Sequence, residues 1–340
     1  MPGKFDFRYG PFFLILFLAL IFVFIPTGCE IFDISPSGFG SVPGSKETYS
    51  FGEVEFNMRY APAAEFPVGR DDASAMVEEG FWIAETQVTY ELWYEVRKWA
   101  EANGYVFSGL GSEGSEGIEG LEPTDQKNEP VTRVSWYDTV VWCNALSEYM
   151  ELEPVYTYQG ELLKDATDRT AGNNAVAGEG NGFRLPTSDE WELAARYRGN
   201  DSDHGAVAYP EGSENYWTPW DYASGATASV SEATETGYVA WYAGNTNKTR
   251  ETGQKPGGGN HLGLYDVSGN VFEWCWEWYP GYEGTRRVNR GGSWSYNAYE
   301  LRVGSVNCAD PGGKSPSHGF RLVRTAAGEE SIPIYLGFFR

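Results

Sequence analysis

Three histidines (His204, His261, His318) and four cysteines (Cys29, Cys143, Cys275, Cys308) are the residues of this chain best suited to metal or nucleophilic chemistry. No two of them have the spacing of a zinc site, so CxxC and HExxH chemistry are excluded. No GxGxxG follows a strand pattern, and neither a P-loop nor a GxSxG elbow is present, so nucleotide binding and the common hydrolase mechanism lack support. The 48 acidic residues against 25 basic ones give a net charge of −23. A surface that acidic repels phosphate backbones and excludes nucleic acid as a partner.

Cys29 has a different context from the other three. Lys4 and Arg8 precede an unbroken apolar run from Phe12 to Ile25, too short for a comfortable membrane span and suited to the core of a signal peptide. Ile25-Pro26-Thr27-Gly28-Cys29 then resembles the lipobox of bacterial lipoproteins, with Pro26 departing from the usual pattern. The bland alternative is an ordinary signal peptide with a chance cysteine. The expectation is a signal peptide over 1–28, lipid on Cys29, and a Ser/Gly/Pro-rich tether over 29–50. It makes the protein an exported lipoprotein, periplasmic or on the cell surface, that meets the membrane through its anchor. Cys143, Cys275 and Cys308 then remain in the folded part, and an odd count leaves at least one free thiol.

The elements that must position the rest are legible at three helix starts. Thr89 opens an amphipathic stretch that stops near Gly104; Ser135 opens a second; Thr187 and Glu190 form a capping box for a third. Elsewhere short apolar segments alternate with Gly, Asn, Asp and Pro clusters, the pattern of short strands and long loops. Gly109–Glu122, Gly160–Gly182 and Glu211–Thr236 read as loops, the first as a solvated acidic insertion rather than a cation site. No repeat of fixed period occurs. Hydrophobic residues make up 41% and aromatics 16%, beside 42 glycines, which suits a loop-rich chain pinned by large aromatic anchors. The folded domain is expected over 51–325, with a separate tail over 326–340.

Six segments in order carry a resemblance. They are Phe81-Trp82-Ile83-Ala84-Glu85-Thr86-Gln87-Val88-Thr89, Pro130–Trp136 running into Trp142-Cys143-Asn144, Phe183–Thr187 with Glu190-Trp191, Gly263–Trp274, Arg290-Gly291-Gly292-Ser293-Trp294, and Gly319-Phe320-Arg321-Leu322. Together they resemble the formylglycine-generating enzyme (sulfatase-modifying factor) family. The resemblance implies an α+β, loop-rich, C-type-lectin-like fold with a twisted antiparallel sheet and two or three helices. Active members of that family oxidise a sulfatase cysteine with copper held by two thiolates, soft ligands suited to Cu(I). Counted from Gly291-Gly292-Ser293-Trp294, the two thiol positions fall on Tyr296 and Leu301, and Cys308 matches neither. The loop that presents the pair also looks shortened. This argues against copper and against catalysis; a formylglycine-generating oxidase is the alternative. Three scattered histidines argue against the family's iron-dependent chemistry. The resemblance further implies a structural calcium held by the Asp266 side chain, the Gly269 and Val271 carbonyls and the Glu273 carboxylate, oxygen donors suited to a hard ion.

The segment from Trp294 to His318 supplies Trp294, Ser295, Tyr296, Asn297, Tyr299, Glu300, Ser305, Asn307, Asp310, Lys314, Ser317 and His318. Tyr, Ser and Asn are favoured on adaptable binding surfaces. The segment resembles the variable C-terminal part of proteins diversified by retroelements, which share this fold and include surface lipoproteins. The expectation is a face that binds a protein or glycan; the alternatives are ordinary loop residues and a structural envelope lipoprotein. Arg287, Arg290, Arg302 and Arg321 are expected to pair with core carboxylates. Trp274, Trp276, Trp278 and Trp294 are expected to pack rather than stack a sugar.

Overall fold

The computed structural model describes residues 42–326. The signal segment, Cys29, most of the tether and the tail beyond Ala326 lie outside the described residues.

The three predicted caps each start a helix. Thr89 accepts from the Leu92 N–H ahead of the helix Tyr90–Ala102, whose Leu92, Trp93, Val96 and Ala100 face inward at helical spacing. Ser135 with Asp138, and Thr187 with Glu190, form complete capping boxes for Trp136–Tyr149 and Ser188–Arg196. Two short helices, Arg169–Asn173 and Ala233–Val239, bring the described total to five. The first lies within, and the second begins within, a segment that the sequence reads as a loop, and the Gly160–Gly182 loop also carries two-residue strands at Glu161–Leu162 and Val176–Ala177.

Two four-stranded sheets position everything that follows. The first runs Lys46–Phe51, Val54–Ala61, Phe81–Ala84, Val323–Thr325, with every pair antiparallel. Its outer strand begins at Lys46, inside the segment read as the end of the tether. The second runs Asn307–Ala309, Arg287–Arg290, Phe272–Trp278, His318–Gly319, with only the last pair parallel.

The core is aromatic. Trp93 and Trp142 stack 5.8 Å apart, and both meet the edge of Phe320. Six tryptophans are less than 2% exposed, and burying such rings supplies much of the apolar free energy of a chain with short elements. Phe320 ties the end of the domain to its first two helices, which sets the Arg287–Arg324 region firmly against the core.

Candidate functional site

The inner strand Phe272–Trp278 buries Glu273 completely. Arg321, also fully buried, meets that carboxylate through Nη2 at 2.8 Å and Nε at 3.0 Å, and Trp191 Nε1 donates to it at 2.7 Å. Arg321 also donates to the carbonyls of Ala84 and Tyr265. The guanidinium therefore cancels the Glu273 charge and joins both sheets.

Beside this pair, four oxygens converge on one point. The Asp266 carbonyl lies 3.0 Å, the Gly269 carbonyl 3.2 Å, the Val271 carbonyl 3.0 Å and Glu273 Oε1 3.0 Å from Gln87 Nε2. Three of the expected calcium donors thus come together, and the fourth residue differs in its atom. Asp266 sits in the left-handed region at φ 54° and turns its carbonyl into the ring. Its carboxylate accepts instead from the Gly253 N–H at 2.7 Å, and Oδ1 is buried without a partner. Burial pushes this carboxyl up to about 6. Three neutral carbonyls and a carboxylate already neutralised by Arg321 give the ring almost no net charge. Calcium affinity rises with ligand charge count, and the centre of the ring is already taken by Gln87 Nε2, so the ring as it stands does not fit a divalent cation. Gln87 was missed in the sequence as a site residue; its only signal there was a polar side chain at the end of an apolar strand.

The C-terminal face is built on a tight turn. Gly292 has φ +74°, and a Cβ there would lie 2.8 Å from the Glu300 carbonyl oxygen, so only glycine fits. Trp294 is half-buried and donates through Nε1 to the Pro316 carbonyl, and its N–H reaches Asn270. The segment between then turns outward. Ser295, Tyr296, Asn297 and Tyr299 are exposed, as are Asp310 and Lys314. Tyr296 leans edge-on against Phe272 at 4.9 Å and stays 43% exposed, and Tyr299 is 61% exposed. Asn297 caps the 3-10 helix Ala298–Leu301. Glu300, Ser305 and Asn307 are half-buried, with Asn307 donating to Glu300. Lys314 reaches across to the Ser108 carbonyl, beside a loop that exposes Leu110, Ile118 and Leu121.

Ser317 and His318 are buried rather than presented. His318 lies between the rings of Phe272 and Trp274, its Nε2 3.1 Å from Asn289 Nδ2. Desolvation lowers its pKa to about 4. Two of the twelve expected face residues are therefore framework, and Trp294 is the anchor of the turn.

The thiols do not form a pair. Among the described residues, Cys143, Cys275 and Cys308 are all free. Cys143 and Cys275 are fully buried, and burial pushes both thiols up, away from the reactive thiolate. At the two positions where the resemblance calls for thiols, Tyr296 is at the surface and Leu301 is fully buried.

Arg290 and Arg321 pair with Glu192 and Glu273 as expected. Arg287 and Arg302 do not. Arg287 is sandwiched between Trp136 at 3.7 Å and Trp278 at 3.5 Å, and desolvation lowers it to about 9. Arg302 stacks on Trp220 and Tyr299. In both, ring faces replace the carboxylate as the counterpart of the cation. Trp274 is buried, and Trp276 stacks on Tyr156 at 4.6 Å, so this cluster is packing.

Residues 51–326 match the model of the sulfatase-modifying factor enzyme 1-like domain. The chain is 31% identical to the chaperone protein LppX of Paenibacillus barcinonensis, over 72% of this chain and 80% of that protein. It is 30% identical to the formylglycine-generating enzyme of Thermomonospora curvata, over 58% of this chain and 56% of that one. Among solved structures, Treponema denticola variable protein 1 superposes with a TM-score of 0.61 at 32% identity, covering 83% of this chain and 99% of that one. CarF superposes with a TM-score of 0.59 at 28% identity, covering 79% and 98%.

Proposed function

The chain belongs to the sulfatase-modifying factor enzyme 1-like family, and from that premise we propose that it is a non-catalytic binding protein. It is exported, held to the membrane by lipid on Cys29, and takes a protein or glycan ligand on its C-terminal face. The observation that carries this reading is the combination of a rigid turn with an outward-facing polar aromatic segment. Gly292 and Trp294 fix the frame, and Ser295, Tyr296, Asn297 and Tyr299 are offered to solvent. Tyrosine supplies contact area at low entropic cost. The likeness to a variable protein and to a protein named a chaperone supports binding as the function.

The likeness to a formylglycine-generating enzyme keeps catalysis as the second reading. It requires a thiol pair, and buried Cys143 and Cys275 do not supply one.

The test is a glycan and protein binding screen with the purified chain. A hit weakened at least tenfold by Tyr296→Ala or Tyr299→Ala supports the face, since buried aromatic anchors dominate interfaces. A hit that ignores both changes refutes the choice of face. Copper-dependent oxygen uptake on a sulfatase-type peptide would establish the second reading instead. Cys29→Ala moves the protein from the membrane to the soluble fraction if lipid is the anchor. Substitutions scattered through codons 295–318 in clones of one culture would identify the segment as diversified.

A further inference from the structure

Four oxygens from one turn and one strand point at a single nitrogen. Gln87 Nε2 lies 3.0–3.2 Å from all of them. A carboxamide carries two N–H protons, so it serves four acceptors only by sharing. Convergence of this kind is the arrangement expected around a cation, not around an amide. The other end of the same side chain is equally unusual: Gln87 Oε1 is buried with no partner, although Gln87 is only 1% exposed. A buried amide normally satisfies both ends. Here the oxygen end is left bare so that the nitrogen end can fill the ring.

We propose that Gln87 is a built-in substitute for a cation: the chain keeps an oxygen cage and closes it with a tethered, neutral donor. The charge arrangement agrees. Arg321 already neutralises Glu273, the one carboxylate in the ring, so the cage needs only a partial positive charge at its centre. The N–H edge of an amide supplies that without the dehydration a divalent ion requires. The tether is short, because Gln87 stands between the strand Phe81–Ala84 and the helix cap Thr89, which aims it at the turn from Asp266 to Val271. A cavity of about 230 Å³ lined by Glu85, Thr86, Gln87, Thr252 and Gln254 opens beside the cage. It gives an ion a path to the centre once the amide is removed. This layer of the domain is therefore independent of divalent cations, and substitution at residue 87 alone makes it dependent.

The test is thermal melting of the purified full chain in excess chelator and in about 5 mM Ca²⁺, well above the affinity of extracellular calcium modules. The native chain melts at the same temperature in both. Gln87→Ala melts roughly 5–10 °C lower in chelator, since the ring loses its donor, and Ca²⁺ restores at least half of that loss. A native chain that melts several degrees lower in chelator and recovers with Ca²⁺ overturns the proposal, because Gln87 would then be a ligand through Oε1. A Gln87→Ala chain that melts like the native one overturns it too. So does one that is destabilised but ignores Ca²⁺, since the amide would then be only a hydrogen-bonding side chain. If Gln87→Ala does not fold, Gln87→Glu takes its place: an acceptor among four acceptors lowers the melting point in chelator, and Ca²⁺ raises it. A Gln87→Glu chain that melts as the native one in chelator refutes the substitute.

Discussion

Replacing Arg321 with methionine is the sharpest probe of what holds the two sheets together. The side chain is fully buried and makes three contacts within 3.2 Å of Glu273, which is itself fully buried. Without Arg321, the Glu273 carboxylate keeps Trp191 Nε1 and Gln87 Nε2 as donors but has no counter-charge. Removing one partner of a buried pair costs about 3–5 kcal/mol. The carbonyls of Ala84 and Tyr265 lose their Arg321 N–H groups as well, at roughly 1 kcal/mol each. The expected loss is therefore about 5–7 kcal/mol, a large part of the roughly 5–15 kcal/mol that stabilises a typical domain.

Urea unfolding followed by tryptophan fluorescence and far-UV circular dichroism reads this directly, with coincident transitions as the check on two-state behaviour. The melting temperature falls by about 10–20 °C. Adding Glu273→Gln to Arg321→Met removes the stranded charge, so the double variant loses about 2 kcal/mol less than the sum of the single losses. An Arg321→Met chain within about 1 kcal/mol of the native one, or strict additivity in the pair, would refute the claim that this ion pair organises the site.

Three further outcomes follow from single residues. Gly292→Ala strains a left-handed backbone and drives a Cβ to 2.8 Å from the Glu300 carbonyl oxygen; it costs about 2–4 kcal/mol by thermal melting and, under the proposed function, weakens any hit from the binding screen. His318 resists protonation in the fold down to about pH 4, against 6.5 for the free side chain. The unfolded chain therefore binds the proton first, and this residue removes stability as pH falls from about 6.5 to 4. The stability difference between the native chain and His318→Gln shrinks by about 3 kcal/mol over that window; Asp266, raised to about 6, acts in the opposite direction but is common to both proteins. In the third, a thiol reagent labels Cys308 and spares Cys143 and Cys275 in the native state; rapid labelling of all three in folded protein would show that the core is not closed.

The parts of the fold that were legible in the sequence are those fixed by local chemistry. Thr89, Ser135 and Thr187 cap helices because a side-chain oxygen three residues before a free N–H is a local fact. The helix Ala233–Val239 was invisible for the converse reason: Glu232 makes no side-chain cap bond. Non-local partners were harder to read. Gln87 meets Asp266 across 179 residues, and no spacing rule reaches that far. Asp266, Gly269, Val271 and Glu273 were named only because the resemblance implies a calcium site on them, and they share one turn and one strand. Arg287 was expected to find a carboxylate, and the fold gave it two indole faces instead, a choice set by which strands become neighbours.

The same division between local and non-local bears on the proposed binding face, in which exposed side chains are set on a buried frame. The frame residues, Gly292, Trp294, Glu273 and Arg321, are buried or half-buried, and the strongest of them hold one another. Exposed Ser295, Asn297 and Tyr299 are joined to the frame mainly through backbone and through the Asn297 cap. Surface substitutions away from caps and turns usually change stability by about 0.5 kcal/mol or less. Side chains at 295, 296 and 299 can therefore change at less cost to the fold than Gly292 or Trp294, the changes at 296 and 299 giving up only the contacts with Phe272 and Arg302. That asymmetry suits the proposed recognition surface; the active enzymes this chain resembles carry thiols at the positions of residues 296 and 301, where it has a surface tyrosine and a core leucine.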